Sequence, residues 1–143
     1  RRALQIPGRE ADYLALTIIA MTAQRYVAGD APLTQDDLVQ SIDAPPENVI
    51  HSVESLIACG YLIESGPTRS VLLPARDPSS IRLGAMWRAL RQHELAVKPG
   101  GPLGSRVAAL LDRVDGAFDR SGGDIDLRTW LLESQNSDEN NAI

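Results

Sequence analysis

LTQDDLVQSIDAPPENVIHSVESLIACGYLIESGPTRSVLLP, residues 33–74, is the stretch that decides the fold. Thr34-Gln35-Asp36-Asp37 fits a helix start, with Thr34 as cap and acids in the first turn complementing the helix dipole. Asp37 stands where a capping box usually has Glu or Gln. Leu38, Val39 and Ile42 supply the buried side of a helix of about two turns. Asp43-Ala44-Pro45-Pro46 is a turn, because proline starts helices but does not continue them. From about Pro46 to Ala58, Val49, Ile50, Val53, Leu56 and Ile57 recur at three- and four-residue spacing and predict a second helix. Gly60 stands where a left-handed C-cap belongs. Tyr61–Glu64 and Arg69–Leu73 read as strands around the turn residues Ser65-Gly66-Pro67-Thr68.

Working outward, residues 9–27 predict a well-buried helix through Leu14, Ile18 and Met21, widened by Leu16, Ile19, Ala20 and Ala23. Gly29-Asp30 and Pro32 end it. Three helices followed by a hairpin is the order of a winged helix-turn-helix. The expected fold class is therefore mainly α with a small β-hairpin, plus C-terminal helices. Asp77-Pro78-Ser79-Ser80 opens a further helix carrying Ile81, Leu83, Met86, Trp87 and Leu90. Residues 92–104, with Pro99-Gly100-Gly101-Pro102, read as a linker loop. A helix from about Ser105 to Phe118 is expected to bury Val107, Leu110, Leu111 and Val114. Ser121-Gly122-Gly123 breaks it, and a short helix over 126–133 follows with Leu127, Trp130 and Leu131. The expected organisation is residues 1–91 as winged helix with its following helix, 105–134 as an extension packed on it, and 135–143 as a disordered tail.

The 143 residues are 43% hydrophobic and 23% charged but only 4% aromatic, which suits one globular domain with an aliphatic core. Charge is unevenly placed. From Val27 to Thr68 there is no Lys or Arg, while Asp30, Asp36, Asp37, Asp43, Glu47, Glu54 and Glu64 lie within it. Non-specific DNA affinity comes from cations displacing counterions. Here the shape points to DNA and the charge points away. The compensating cations start at Arg69 and continue through Arg82, Arg88 and Arg91. Positions 88 and 91 share a helical face. This cluster is the candidate contact for an anion or partner, against the alternative of internal pairing with the acidic segment. Asp36, Asp37, Glu47 and Glu54 are the candidate acidic partner face.

Candidate chemistry is sparse. The helix after Pro46 occupies the place of a recognition helix. Its expected exposed residues are Glu47, Asn48, His51, Ser52, Glu54 and Ser55, of which Asn48, His51 and Ser52 can touch bases. His51 and His93 have no nucleophile placed beside them. The single cysteine, Cys59, excludes an intrachain disulfide and a Cys/His metal cage. It lacks the helix N-terminus or cationic neighbour that makes a thiol reactive. Asp36/Asp37 and Asp112/Asp115 read as dipole complement and solvated face before they read as Mg²⁺ ligands. Gly100-Gly101-Pro102 lacks the Lys and Ser/Thr of a phosphate cradle. No catalytic residue, cofactor or metal site is expected, and no enzyme.

The segment Gly60-Tyr61-Leu62 through Leu73-Pro74-Ala75-Arg76-Asp77-Pro78, then Ile81-Arg82-Leu83 and Trp87-Arg88-Ala89-Leu90, resembles the cytosolic C-terminal region of the YihY/BrkB family. These are bacterial inner-membrane proteins once labelled ribonuclease BN. Arg9-Glu10-Ala11-Asp12-Tyr13-Leu14 and Pro32–Leu38 are also similar to that tail. The likeness covers about residues 9–91. It implies a soluble tail on the cytoplasmic side of the inner membrane, following a set of membrane helices. A start at Arg1-Arg2 without Met is what such a tail would show. The hairpin followed by Ala75-Arg76-Asp77-Pro78 and Ile81 also resembles IscR-like winged-helix regulators. Those often carry a glycine-rich wing and three cysteines for an iron–sulfur cluster. This chain has Thr68-Arg69-Ser70 at the wing and a single cysteine, which removes cluster sensing.

Together these features predict a non-catalytic winged-helix interaction or regulatory module. Its partner would be a protein or the chain's own membrane domain, and a homodimer is compatible with it. The alternative is a DNA-binding transcriptional regulator that uses the Arg69–Arg91 surface and the wing. A third reading, ribonuclease or tRNA processing, rests on the old family label alone.

Overall fold

A computed structural model describes residues 8–68, 70–94 and 100–133. Helix α1 (Gly8–Ala28) buries Leu14, Ala15, Ile18, Ile19 and Ala23 along one side. The buried Thr22 hydroxyl donates to the carbonyls of Ile18 and Ile19 at 3.1 and 3.0 Å, so no polar group is stranded there. The helix closes on Gly29 at φ 72°, with Asp30 N–H bonded back to Arg25 O at 2.9 Å.

Strand β1 (Leu33–Thr34) leads directly into α2 (Gln35–Ser41). Thr34 serves both elements. Its side chain accepts from Asp37 N–H at 3.1 Å, and its own N–H donates to Asp37 Oδ2 at 2.9 Å. Asp37 therefore completes a capping box despite its shorter side chain. Helix α3 (Pro46–Ala58) begins on proline and buries Val49, Val53 and Leu56 against α1 and α2. Gly60, at φ 81°, ends it as expected.

Strands β2 (Leu62–Ser65) and β3 (Val71–Pro74) form the hairpin, with Leu62 opposite Pro74 and Ser65 opposite Val71. Both lie one or two residues later than the sequence pattern predicts. β1 adds to the other edge of β3 in the order β1-β3-β2, all antiparallel. This third strand is not visible in the sequence, because two residues carry no alternation.

A 3₁₀ turn (Pro78–Ser80), capped by Asp77, precedes α4 (Leu83–Glu94). Helix α5 (Gly101–Phe118) begins four residues earlier than expected, with Gly100 as N-cap and Pro102 in its first turn. The proline read as a loop breaker is thus a helix starter. A wide turn over Asp119–Gly123 follows, and a last helix, α6, covers 127–133. Leu127 N–H donates to Ile81 O and Leu83 N–H to Ile125 O, both at 2.9 Å. Leu127, Leu131, Ile81 and Met86 are buried, so the 124–133 segment belongs to the core.

Helix α5 does not. The stripe expected to be buried is open: Leu110 is 55% and Val114 56% exposed, and Val107 and Leu111 are similar. The helix is held at its C-terminal end, where Phe118 stacks on Trp87 with ring centroids 5.4 Å apart. Amphipathic spacing reports that a face needs cover and does not report which chain covers it. The expected tail 135–143, part of the linker 92–104 and Arg69 lie outside the described residues.

The Thr34 hydrogen bonds hold the Asp37 carboxyl below its ordinary value of 3.8. A lowered folded-state pKa stabilises above the ordinary value and loses that contribution as pH falls through the folded one. Asp37→Ala should therefore be less stable than the parent at pH 7. The gap should shrink as the pH drops below 3.8, as measured by urea unfolding across pH. A gap independent of pH would mean that the carboxylate does not cap α2.

Candidate functional site

Helices α2 and α3 with the β2–β3 wing form the surface that a winged helix offers to a partner. The outward stripe of α3 carries Glu47, Glu54 and Ala58, with Asn48, Ile50 and His51 half-buried beside it. Ser52 and Ser55, expected on this face, are each only 6% exposed, so Ser52 is withdrawn from any base contact. The helix turns its small hydroxyl residues inward, where close packing demands small side chains. Asp36 and Asp37 are exposed on α2, as are Glu47 and Glu54 on α3. None of the four is among the ion-paired acids of the described residues.

His51 does not face outward alone. Its Nε2 lies 2.8 Å from Glu94 Oε1 on α4, and Ser55 Oγ donates to the same oxygen at 2.8 Å. A further carboxylate thus stands at the flank of α3. Cys59 Sγ lies 3.7 Å from Ala89 O. Partial burial, then the Glu94 charge, push its thiol up, the opposite of a nucleophile's requirement. Among the described residues, no group of three or more His, Cys, Asp or Glu side chains is placed to hold a metal ion.

Three members of the basic cluster, Arg82 just before α4 and Arg88 and Arg91 on it, are turned to internal partners. Arg82 pairs with Asp124 through its side chain at 3.4 Å and also donates to the Asp124 carbonyl. Arg88 pairs with Asp119. Arg91 pairs with Asp12 of α1 at 2.9 Å and lies over the Trp87 ring, 4.3 Å from its centroid. These partners come from α1 and the 119–124 segment, not from the acidic α2–α3 surface. At the base of the wing, Arg76 stacks over Tyr61 at 4.6 Å and remains exposed.

Gly84 makes these pairings possible and was not singled out from sequence. A Cβ there would lie 2.9 Å from Asp119 Oδ1, 3.0 Å from Asp124 Oδ1 and 3.2 Å from Asp124 Cα. The missing side chain lets both carboxylates reach the N-terminus of α4, where Asp124 Oδ1 accepts from Ala85 N–H at 3.3 Å. Asp119 Oδ1 is buried there without a hydrogen-bond partner. A glycine inside an apolar helical pattern is the available signal, since helix interiors disfavour it without a packing reason.

No family model matches the chain, and no curated protein matches it. The resemblance to the YihY/BrkB tail therefore gains no support from either comparison. The fold is similar to that of CymR, the global cysteine regulator of B. subtilis, at 17% identity and TM-score 0.62, covering 92% of this chain and 98% of CymR. It is similar to T. potens IscR at 15% identity and TM-score 0.66, covering 94% and 91%. Staphylococcus aureus CymR follows at 14% and 0.58, covering 85% and 94%. These likenesses show the fold: a winged helix with C-terminal helices, as the element order predicts.

Gly84→Ala tests the close approach at α4. Helix propensity alone would stabilise the variant by about 1 kcal/mol. The crowding against Asp124 should outweigh this and give a net loss of about 1–3 kcal/mol in urea unfolding. A stabilised variant would show that the carboxylates do not pack there.

Proposed function

We propose that this chain is a winged-helix transcriptional regulator that binds duplex DNA as a dimer joined through α5. The observation that carries the proposal is the coexistence of a complete helix-turn-helix and wing with an uncovered amphipathic helix outside the core. Leu103, Val107, Leu110 and Val114 follow 4-3-4 spacing, the seam pattern of paired helices, with Leu111 and Phe118 beside it. Within Gly101–Phe118 the charges balance, with Arg106 and Arg113 against Asp112 and Asp115, so two copies do not repel along the seam. A second copy covers this face in a way that a charged partner would not. The fold neighbours support the reading, since one is named as a global regulator.

The charge distribution sets how such a regulator binds. With Arg82, Arg88 and Arg91 engaged internally, few cations remain for phosphates, and binding rests on uncharged donors such as Asn48 and on Arg76. Arg69, which lies between the two wing strands in the sequence, is proposed as a phosphate contact from that position alone. Each phosphate contact steepens the salt dependence by about 0.9 in log–log slope. The slope for the dimer should therefore be shallower than about −4. Absence of binding to any genomic duplex at low salt removes this reading. Light scattering should give a dimer for the parent and a monomer for Leu110→Asp/Val114→Asp, with helix content retained. A monomeric parent at micromolar concentration removes the α5 interface.

A second reading is favoured by the exposed Asp36, Asp37, Glu47 and Glu54: the α2–α3 face docks a basic protein segment. One substitution separates the two. If DNA approaches α3, Glu47→Gln/Glu54→Gln removes two repelling charges and should tighten duplex binding by about threefold or more. If the face serves a protein, the change leaves DNA binding as it was. Among the described residues, no helix is long and apolar enough to cross a membrane.

A further inference from the structure

We infer that Glu94 positions α3 relative to α5, and so sets the separation of the two recognition helices in the dimer. The consequence for DNA rests on the function proposed above; the clamp itself does not. The side of α3 that faces α4 presents residues 51, 55 and 59 at helical spacing. Polar contacts cross there: His51 and Ser55 to a single Glu94 oxygen, each at 2.8 Å, and the Cys59 thiol at 3.7 Å from Ala89 O. The apolar grip on α3 lies on its other side, through Val49, Val53 and Leu56.

Glu94 is the last described residue of α4. Arg91, one turn earlier, is already held by Asp12 and Trp87. Helix α4 in turn holds the C-terminal end of α5, through the Trp87–Phe118 stack and the pairing of Arg88 with Asp119. One side chain thus ties the reading helix to the helix that holds the proposed dimer contact. Without it, the α3–α4 contact loses two side-chain hydrogen bonds.

The test compares the parent with Glu94→Ala and Glu94→Gln as full-length chains. Glu94 is exposed, so both variants should fold, as checked by far-UV circular dichroism. Amide hydrogen exchange over residues 51–58 should be about fivefold faster or more in Glu94→Ala. In Glu94→Gln, whose amide oxygen still accepts both bonds, it should stay within about twofold of the parent. Unchanged exchange in Glu94→Ala overturns the clamp, and equal acceleration in both variants overturns its hydrogen-bond basis. In selection from a random-sequence duplex library, the parent should recover paired half-sites at one separation and Glu94→Ala a spread of separations. If exchange responds but the selected spacing stays as narrow as the parent's, the coupling to the dimer is wrong. If exchange responds and the parent selects no duplex, the clamp stands and the DNA reading falls.

Discussion

The packing of α1 against α3 and β3 is the contact on which the rest of the molecule depends. Leu14, Ile18 and Ile19 are essentially inaccessible to water, and so are Val49, Val53, Leu56 and Leu72. With 4% aromatic content, the core is built from aliphatic side chains, each contributing about 1.5–3 kcal/mol on full burial. That contact orients α3, and the hairpin follows because Gly60 turns the chain straight from α3 into β2. It also explains the inward Ser52 and Ser55. A helix gripped on one side by α1 and approached on another by α4 has little room for large side chains between those faces.

Electrostatics then divides the molecule in two. The cations of α4 are consumed by Asp12, Asp119 and Asp124, which fix α4 to α1 and to the segment before α6. Exposed pairs of this kind add little stability individually. Their larger effect is negative: they leave the α2–α3 surface without neutralising partners. The charge of that surface is therefore a property of the fold and not only of local composition. Arg82, Arg88 and Arg91 follow it in sequence but are turned toward other carboxylates in space.

Much of the fold was legible because local chemistry and global packing agree. Thr34 with Asp37, Pro46, Gly60 and the Gly66-Pro67 turn each mark a boundary by a conformational need of their own. The misses share a different cause. β1 is a strand only because β3 lies beside it. Pro102 reads equally as a loop residue or a helix start until the helix is seen. Gly84 has meaning only through carboxylates 35 and 40 residues away in the chain. The partners of Arg82, Arg88 and Arg91 are likewise tertiary facts. The candidate site was legible in outline, as an acidic helix-turn-helix followed by a basic helix. Its internal wiring through Glu94 was not, because a charged residue at a helix end reads as solvated surface.

The two unusual faces of the chain make most sense together. An acidic surface weakens attraction to phosphate, which supplies essentially all of non-specific DNA affinity. A monomer with that surface would hold DNA poorly at cellular salt. In the proposed dimer, joining two copies through α5 would offset this by making the second half-site encounter intramolecular, at an effective concentration that no single domain reaches. That gain is realised only if the two α3 helices are held at a separation matching the duplex. In the proposed dimer, an acidic surface would raise the demand for a rigid link between α3 and α5, which the Glu94 contacts to α3 would help to supply. The same logic gives such a regulator selectivity: without a general attraction to phosphate, binding to unmatched sequence has little to sustain it.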